Sequence, residues 1–416
     1  MADFLQRQRV VITGLSVVSP LGNSITDLTQ HVFGGVSGIK LLDAPFVDQL
    51  DCKIAAQAQF NPADHFSKHT YSMLDRTSQM ALYTSIEAIK NAGLVIDDQL
   101  KSRMGVYLGT GMGGAQSLED GYVRLYRDGA SRLKPFTVLM SMYNAAASAI
   151  ALEHQLTGPN LTFSTACSSS AVAIGEASRL IRHGYTDVML AGGSEALLTY
   201  GSIKAWEALR TLAVQDANDL SASCKPFSVD RSGLVLGEGA AILVLESYEH
   251  AIARGATIFA EIVGYGASND CGHITQPSVN GQAATMQAAL NDSGLAINTI
   301  QYINAHGTGT QLNDVTETSA IKKVFGSHAY DLSISSTKSM HGHLMGAAGA
   351  LESIITTLAV YNNKLPPTIN LTQPDPECDL DYVPNVSKTL TRLEYAMSNS
   401  FAFGGTGAAL ILKKVN

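Results

Sequence analysis

Cysteine is scarce in this chain of 416 residues: five in all, at positions 52, 167, 224, 271 and 378. No two form a CxxC pair and the total is odd, which excludes a disulfide framework and a cysteine-built zinc site as organising features. Charge is sparse too, at 15% of residues, and the formal net charge of −8 argues against nucleic acid as the main partner. No uncharged apolar run reaches about 18 residues, so no membrane span is expected. The first nine residues lead straight into a strand without an apolar leader, which with the cysteine usage makes a cytoplasmic setting the expectation. Low-complexity tracts and flexible linkers are missing as well. What the chain does have is 45% hydrophobic residues, enough for two domain-sized units or one large duplicated body.

Strand-like and helix-like stretches alternate along it. Arg9-Val-Val-Ile-Thr-Gly14 reads as a buried strand, and Met80, Tyr83, Ile86 and Ile89 recur at helical spacing over 75–92. Further strands are expected at 104–109, 161–165, 187–191 and 239–246, with helices over 142–156 and 171–177 and another closing near 254. A second series starts near Phe259: strand character at 262–263, 302–305, 332–336 and 408–413, helices over 282–291, 314–324 and 345–360. The alternation implies βαβ units and a sheet covered on both faces. The two series share a layout, which predicts a duplicated α/β body with halves 1–255 and 256–416.

Gly109, Gly111 and Gly114 follow a strand and fit G-x-G-x-x-G. The dinucleotide fingerprint also needs an acidic residue about 20 positions on, at the end of a second strand. Asp128 stands near that distance, but in the turn-like Tyr126-Arg-Asp-Gly-Ala130. The glycines are therefore read as letting backbone approach backbone beside a pocket.

Chemistry concentrates elsewhere. Leu161-Thr-Phe-Ser-Thr-Ala-Cys167 is an apolar, β-branched run ending on a thiol, and a helical pattern follows from Ala171. A thiol there meets the unpaired N–H groups and dipole of the helix start, which are expected to lower its pKa and make it a nucleophile. His306 lies in a Gly/Thr-rich loop and His343 follows His341 in another. No Cys, Asp or Glu stands at ligand spacing beside those histidines, so no metal is expected. Spacing alone points to a thiol enzyme and leaves its reaction open.

Four motifs then stand in order: Thr165-Ala-Cys167-Ser-Ser169, His306-Gly-Thr-Gly-Thr310, Ser336-Thr-Lys338-Ser-Met-His-Gly-His343 and Asn399-Ser-Phe-Ala-Phe403-Gly-Gly-Thr406. Through them the chain resembles, essentially end to end, the elongating β-ketoacyl-acyl carrier protein synthases, most closely the KAS II-like enzymes. The resemblance implies the thiolase fold, a duplicated α/β body of five layers (αβαβα), and an acyltransferase. Cys167 would take an acyl chain from the phosphopantetheine arm of an acyl carrier protein, with no cofactor bound by the enzyme itself. His306 and His343 would hydrogen-bond the malonyl thioester oxygen during decarboxylation. The backbone N–H groups of Cys167 and Phe403 would form an oxyanion hole, and Phe403 a gate. Lys338 and Glu352 would pair to orient His343. Thr308 and Thr310 would hold the pantetheine arm, with Met112, Ile203 and Phe401 at substrate-binding positions.

The resemblance also implies a dimer, with 160–164 pairing across the two-fold, either with a second copy or with a chain-length-factor homologue. Three departures stand out. Ala402 and Gly407 occupy gate positions where the family usually has Gly and Asn. The docking segment Ser67-Lys-His-Thr-Tyr-Ser-Met73 holds one fixed positive charge where the family is basic, which shifts docking toward Lys204, Arg210, Lys225 or a partner subunit. Met112 and Ile203 set their own acyl-pocket size. Fatty-acid elongation and type II polyketide or aryl-polyene synthesis both remain open. A non-catalytic chain-length-factor or scaffold role is the alternative that an intact Cys167 opposes.

Overall fold

The computed structural model describes residues 7–415, and ten strands form one continuous sheet in it. In chain order they are β1 (Val10–Val18), β2 (Met104–Gly109), β3 (Asn160–Phe163), β4 (Val188–Glu195), β5 (Gly239–Ser247), β6 (Ala260–Asn269), β7 (Tyr302–Asn304), β8 (Ser333–Ser335), β9 (Tyr395–Phe401) and β10 (Thr406–Lys413). Across the sheet the order is β8-β7-β9-β10-β6-β1-β5-β4-β2-β3. Outward from the β1–β6 seam, each half runs through the first, fifth, fourth, second and third strand of its own series. Strand directions repeat as well: the seam and the two nearest pairings in each half are antiparallel, and the outer two are parallel. The shared layout read in the sequence is a repeated topology.

The helices that matter for the site are α1 (Arg76–Asn91), α2 (Ala145–Glu153), α3 (Ser169–Arg182), α4 (Tyr200–Leu209), α5 (Val279–Ser293), α6 (Gln311–Phe325) and α7 (Ala348–Asn362). Helices α1 and α2 cover the outer face of the first half, where Ala88, Ala147 and Ile150 meet Val106, Leu108 and Val244. Helices α5 and α6 cover the second half in the same way. Between the halves lie α3 and α7, which touch strands of both series and each other. The result is five layers, with an apolar cluster in each interlayer space. The sequence explains the middle one. Helix α7 begins Ala-Gly-Ala-Leu-Glu-Ser-Ile-Ile-Thr-Thr, with one charged residue and small hydroxyls as its polar side chains, and it is buried all round from Ala348 to Val360. Its buried hydroxyls at Ser353, Thr356 and Thr357 donate to carbonyls one turn back, so none is left unpaired.

Both middle helices start from the same irregular turn. A 3-10 turn at Ala166–Ser168 precedes α3, and another at Met345–Ala347 precedes α7. The first residue of each has left-handed backbone, with φ 48° at Ala166 and 46° at Met345. Neither side chain favours that region, so each elbow is a strained point held by its surroundings. Gly109, at the end of β2, makes room for the first: a Cβ there would sit 2.2 Å from the Ser170 nitrogen. Gly109 therefore serves close packing on the thiol-bearing helix, while Gly111 makes room for the Glu195 carboxylate and Gly113 and Gly114 for the segment at 140–143. Several boundaries differ from expectation: β4 does not stop at Ala191 but continues to Glu195, β6 extends well beyond 262–263, the helix expected over 142–156 is Ala145–Glu153, and β9 takes in residues up to Phe401 that read as part of a glycine-rich turn over 398–407.

The two outer strands have different fates. β8 is covered by a bridge from Ser333 to Asp381. Among the described residues β3 pairs with β2 alone; Leu161 on it is exposed, as are Met112 beyond the end of β2 and Val138, Leu139 and Tyr143 in the segment that packs on Gly113 and Gly114. A bare strand edge within an apolar patch is an interaction surface. Among the described residues no helix is long and apolar enough to cross a membrane.

Candidate active site

Cys167 sits on the first elbow, buried at 6% exposure, directly before α3. Small hydroxyl residues hold the turn: Ser169 Oγ accepts the Thr165 N–H at 2.9 Å and donates to the Ala166 carbonyl at 2.6 Å. His306 lies two residues beyond β7 and His343 two residues before the second elbow. Although 139 and 176 residues from Cys167 in sequence, both side chains converge on it, and the donor atoms of all three lie within 4.8 Å of one another. The two imidazoles meet edge to face, with centroids 5.4 Å apart at 83°.

Hydrogen bonds settle which ring nitrogens face the sulfur as donors. The Met345 N–H donates to His343 Nδ1 at 3.1 Å, so that nitrogen carries the lone pair and Nε2 carries the proton. His343 Nε2 has no hydrogen-bond partner among the described residues. The Lys338 ammonium stands 3.3 Å from His306 Nδ1, which assigns the same tautomer there. Burial, with help from Lys338, holds both histidines far below the ordinary imidazole range, so both are neutral N–H donors. A direct contact from Lys338 to His306 is not among the expectations; it forms, and Lys338 reaches His343 through its charge while a backbone N–H from the second elbow orients that ring. Lys338 does pair with Glu352, both fully buried, and burial pushes that carboxyl up to about 7 against the pull of Lys338. With an ammonium already beside His306, the three converging side chains are a poor match for a metal cation.

A correction concerns the thiol. Burial pushes Cys167 up to about 11, against the pull of Lys338 and of the backbone N–H groups of Phe403 and Cys167. Desolvation outweighs the helix start, and the resting group is a neutral thiol. With the acid form favoured, its alkylation by iodoacetamide should accelerate about tenfold per pH unit from roughly pH 7 to 9 without levelling off. A plateau before pH 8 in a stopped-time mass-spectrometric assay would mean a thiolate already formed.

The sulfur lies at the foot of a channel of about 270 Å3 whose walls include His306, His343, Thr308, Thr310, Phe401 and Phe403. Thr308 and Thr310 bond each other through their hydroxyls at 2.9 Å. Phe401 stands 6.0 Å from His306, ring edge to face. Met112 and Ile203 do not line this channel. Ile203 is buried in an apolar cluster with Cys167, Leu197, Leu234 and Met345, on the far side of the thiol, while Met112 is half exposed near the bare edge.

Three buried acids that the sequence does not single out hold this geometry. Glu317, on α6, accepts the N–H groups of His306 and Gly307 at 2.9 and 2.8 Å. Asp314 accepts those of Phe227 and Gly309. Glu195 accepts from Gly111 and Gly346 and so ties the β2 loop to the second elbow. An acid at the end of a strand or inside a helix carries no local signal of such a task; only a glycine-rich loop nearby hints at donors in need of an acceptor. Among the cations expected near the mouth, Lys204 is committed to Asp51 and Glu207, and Lys225 to Asp216 and Asp230. Arg210 is exposed, lines the mouth and carries no ion pair among the described residues.

The sequence matches the family model "Beta-ketoacyl synthase, N-terminal domain" over residues 7–251 and the corresponding C-terminal domain over 259–372. It is 42% identical over 412 residues to 3-oxoacyl-[acyl-carrier-protein] synthase 2 of Staphylococcus aureus (strain N315), covering 98% of this chain and 99% of that one. Among solved structures, a type II polyketide-synthase ketosynthase in complex with its acyl-carrier protein and bound to a hexaketide superposes with a TM-score of 0.91 at 33% identity, over 99% of this chain and 100% of that one. The ishigamide ketosynthase/chain length factor gives the same score, identity and coverage.

Proposed function

The chain belongs to the β-ketoacyl synthase family, and from that membership we propose that it is an elongating 3-oxoacyl-[acyl carrier protein] synthase whose reaction runs on Cys167, His306 and His343. One observation carries the reading: a thiol and two neutral imidazole N–H donors converge within 4.8 Å at the foot of a channel.

In the first stage the phosphopantetheine arm of an acyl carrier protein brings an acyl thioester down the channel. Cys167 sulfur attacks its carbonyl, the backbone N–H groups of Cys167 and Phe403 receive the oxyanion, and the pantetheine sulfur leaves. The proton of the Cys167 thiol ends on that departing sulfur. In the second stage malonyl-carrier protein loses CO2, and the electron pair of the broken bond moves onto the thioester oxygen as an enolate. Nε2–H of His306 and of His343 stabilise that charge. The enolate carbon attacks the Cys167 thioester, a C–C bond forms, and the cysteine leaves as a thiolate that takes a proton from water. No strong base is required, in keeping with the histidines' depressed pKa values.

The carrier protein is acidic, and Arg210 lines the mouth without an ion pair among the described residues. Arg210→Glu is expected to raise KM for an acyl-carrier protein about five- to tenfold at low salt and to change kcat by less than about twofold. Loss of that effect at high ionic strength is the accompanying check, and an unchanged KM would remove Arg210 from docking.

The bare β3 edge with its apolar surround supports dimerisation through 160–164. Purification from the native host, followed by incubation with malonyl- and acyl-carrier protein, tests the whole reading. A 3-oxoacyl-carrier protein longer by two carbons supports it, and failure of Cys167 to become acylated refutes it. A co-purifying homologue without the cysteine would select the polyketide or aryl-polyene setting, and a homodimer would favour fatty-acid elongation. A non-catalytic scaffold role does not suit a complete Cys-His-His set.

A further inference from the structure

The gate residue Phe403 touches the site twice. Its backbone N–H lies near enough to the Cys167 sulfur to pull the thiol's pKa down, and its ring stacks on Trp206 with centroids 6.1 Å apart and planes at 26°. The supports of the two rings are very unlike. Trp206 rides on α4, and that helix is fastened at both ends. At its start, Thr199 Oγ1 and the Gly201 N–H donate to Glu119 at 2.5 and 3.0 Å. Near its end, Glu207 accepts the N–H groups of Asp51 and Cys52 at 2.7 and 2.9 Å.

Phe403 instead precedes two glycines with φ of 85° and 89°, and a side chain placed at Gly404 would meet nothing within 4 Å. The backbone bonds that hold this loop from outside run to Ile274 and Asp270, in a segment that is itself exposed over 271–274. Of the contacts that fix the Phe403 ring, the one to Trp206 is made by a rigid element.

We propose that Trp206 is the latch of the gate, a positioning residue whose ring holds Phe403 with its N–H on Cys167 and releases it when an acyl chain occupies the site. The proposal rests on the reading of Phe403 as a gate given above. An aromatic pair of this kind shifts an equilibrium roughly three- to tenfold, enough to bias a loop without locking it. Ala402 in place of the family's usual glycine narrows the φ freedom of the same loop, so release concentrates at Gly404 and Gly405.

Trp206 is the chain's single tryptophan, so tryptophan emission reports the surroundings of this one ring. The free enzyme and Phe403→Ala give the stacked and unstacked reference spectra. The wild-type enzyme is then loaded from an acetyl- to palmitoyl-coenzyme A series, with the acyl group on Cys167 verified by intact mass. Emission of the acylated wild type should move toward that of Phe403→Ala. Trp206→Ala should slow acyl-enzyme formation roughly three- to tenfold, while Trp206→Phe, which keeps a stacking ring, should stay within about twofold of wild type. Unchanged emission on acylation overturns the latch, as does Trp206→Phe falling as far as Trp206→Ala. The spectroscopic arm uses wild-type protein and stands even where a Trp206 variant folds poorly. Should no member of the series load wild-type Cys167, the synthase reading itself fails, and the latch with it.

Discussion

Cys167→Ala is expected to abolish acyl-enzyme formation, a loss of more than about 1000-fold in condensation, and to leave the fold intact. Nothing else at the foot of the channel can take the acyl group. Cys224 and Cys378 are buried elsewhere, with burial pushing their thiols up to about 12 and about 11, and Cys52 and Cys271 do not line the channel. The two histidines present N–H groups, which donate but do not attack. Stability should fall by only about 1 kcal/mol, because one buried sulfur is removed and the elbow is held by Ser169 and by the packing of Gly109. Intact-mass analysis after exposure to acyl thioesters, with a thermal melt alongside, reads both halves of the expectation. Normal acyl loading on the alanine variant would sink the nucleophile assignment.

His343→Ala and His306→Ala are expected to cut malonyl decarboxylation by about 100- to 1000-fold, or about 2.7–4 kcal/mol, with acylation of Cys167 falling by less than about tenfold. The asymmetry follows from where the donors point. In the proposed mechanism Nε2–H of both rings serves the malonyl thioester oxygen, whereas the acyl thioester oxygen is received by its own pair of backbone donors. The two variants should also differ from each other. Removing His306 takes away the ring that receives Lys338, while removing His343 leaves the Lys338–Glu352 pair untouched. His306→Ala should therefore also cost stability, and His343→Ala much less. Carbon dioxide release and acyl-enzyme formation, measured separately, decide the matter: equal loss in both would contradict the division of roles.

Much of this site is legible in the sequence because its reacting groups sit in short, ordered motifs. Cys167, His306 and His343 are each visible as a chemical residue at the end of a strand or within a small-residue loop. What holds them is far less visible. Nothing about Ala166 or Met345 announces a left-handed backbone, since the strain is imposed by helices packed behind them. Glu195 and Glu317 read as ordinary acids, because the N–H groups they satisfy come from loops up to 151 residues away. The sign of the Cys167 shift is hidden for a similar reason: a helix start is a local feature that lowers a thiol's pKa, while the burial that outweighs it is assembled from the whole chain. Lys338 stands in the same motif as His343 in the sequence, whereas the histidine it contacts, His306, reaches it from the end of another strand. Cations differ in the same way. Lys204 and Lys225 look free in sequence, and only the fold reveals their acidic partners.

The middle layer has a consequence for how the chain folds. Each half has its own five strands and its own outer helices, yet α3 and α7 pack back to back, with Gly349 against Ala171 and Ser170 Oγ accepting the Ala350 N–H. A half folded alone would leave an almost entirely apolar helix with water on one side. The duplication therefore yields a single cooperative unit, whose central contacts join residues nearly 180 apart and must wait until most of the polypeptide has been made. The nucleophile's elbow lies at the edge of that layer, so a competent thiol site is among the last things such a chain can complete.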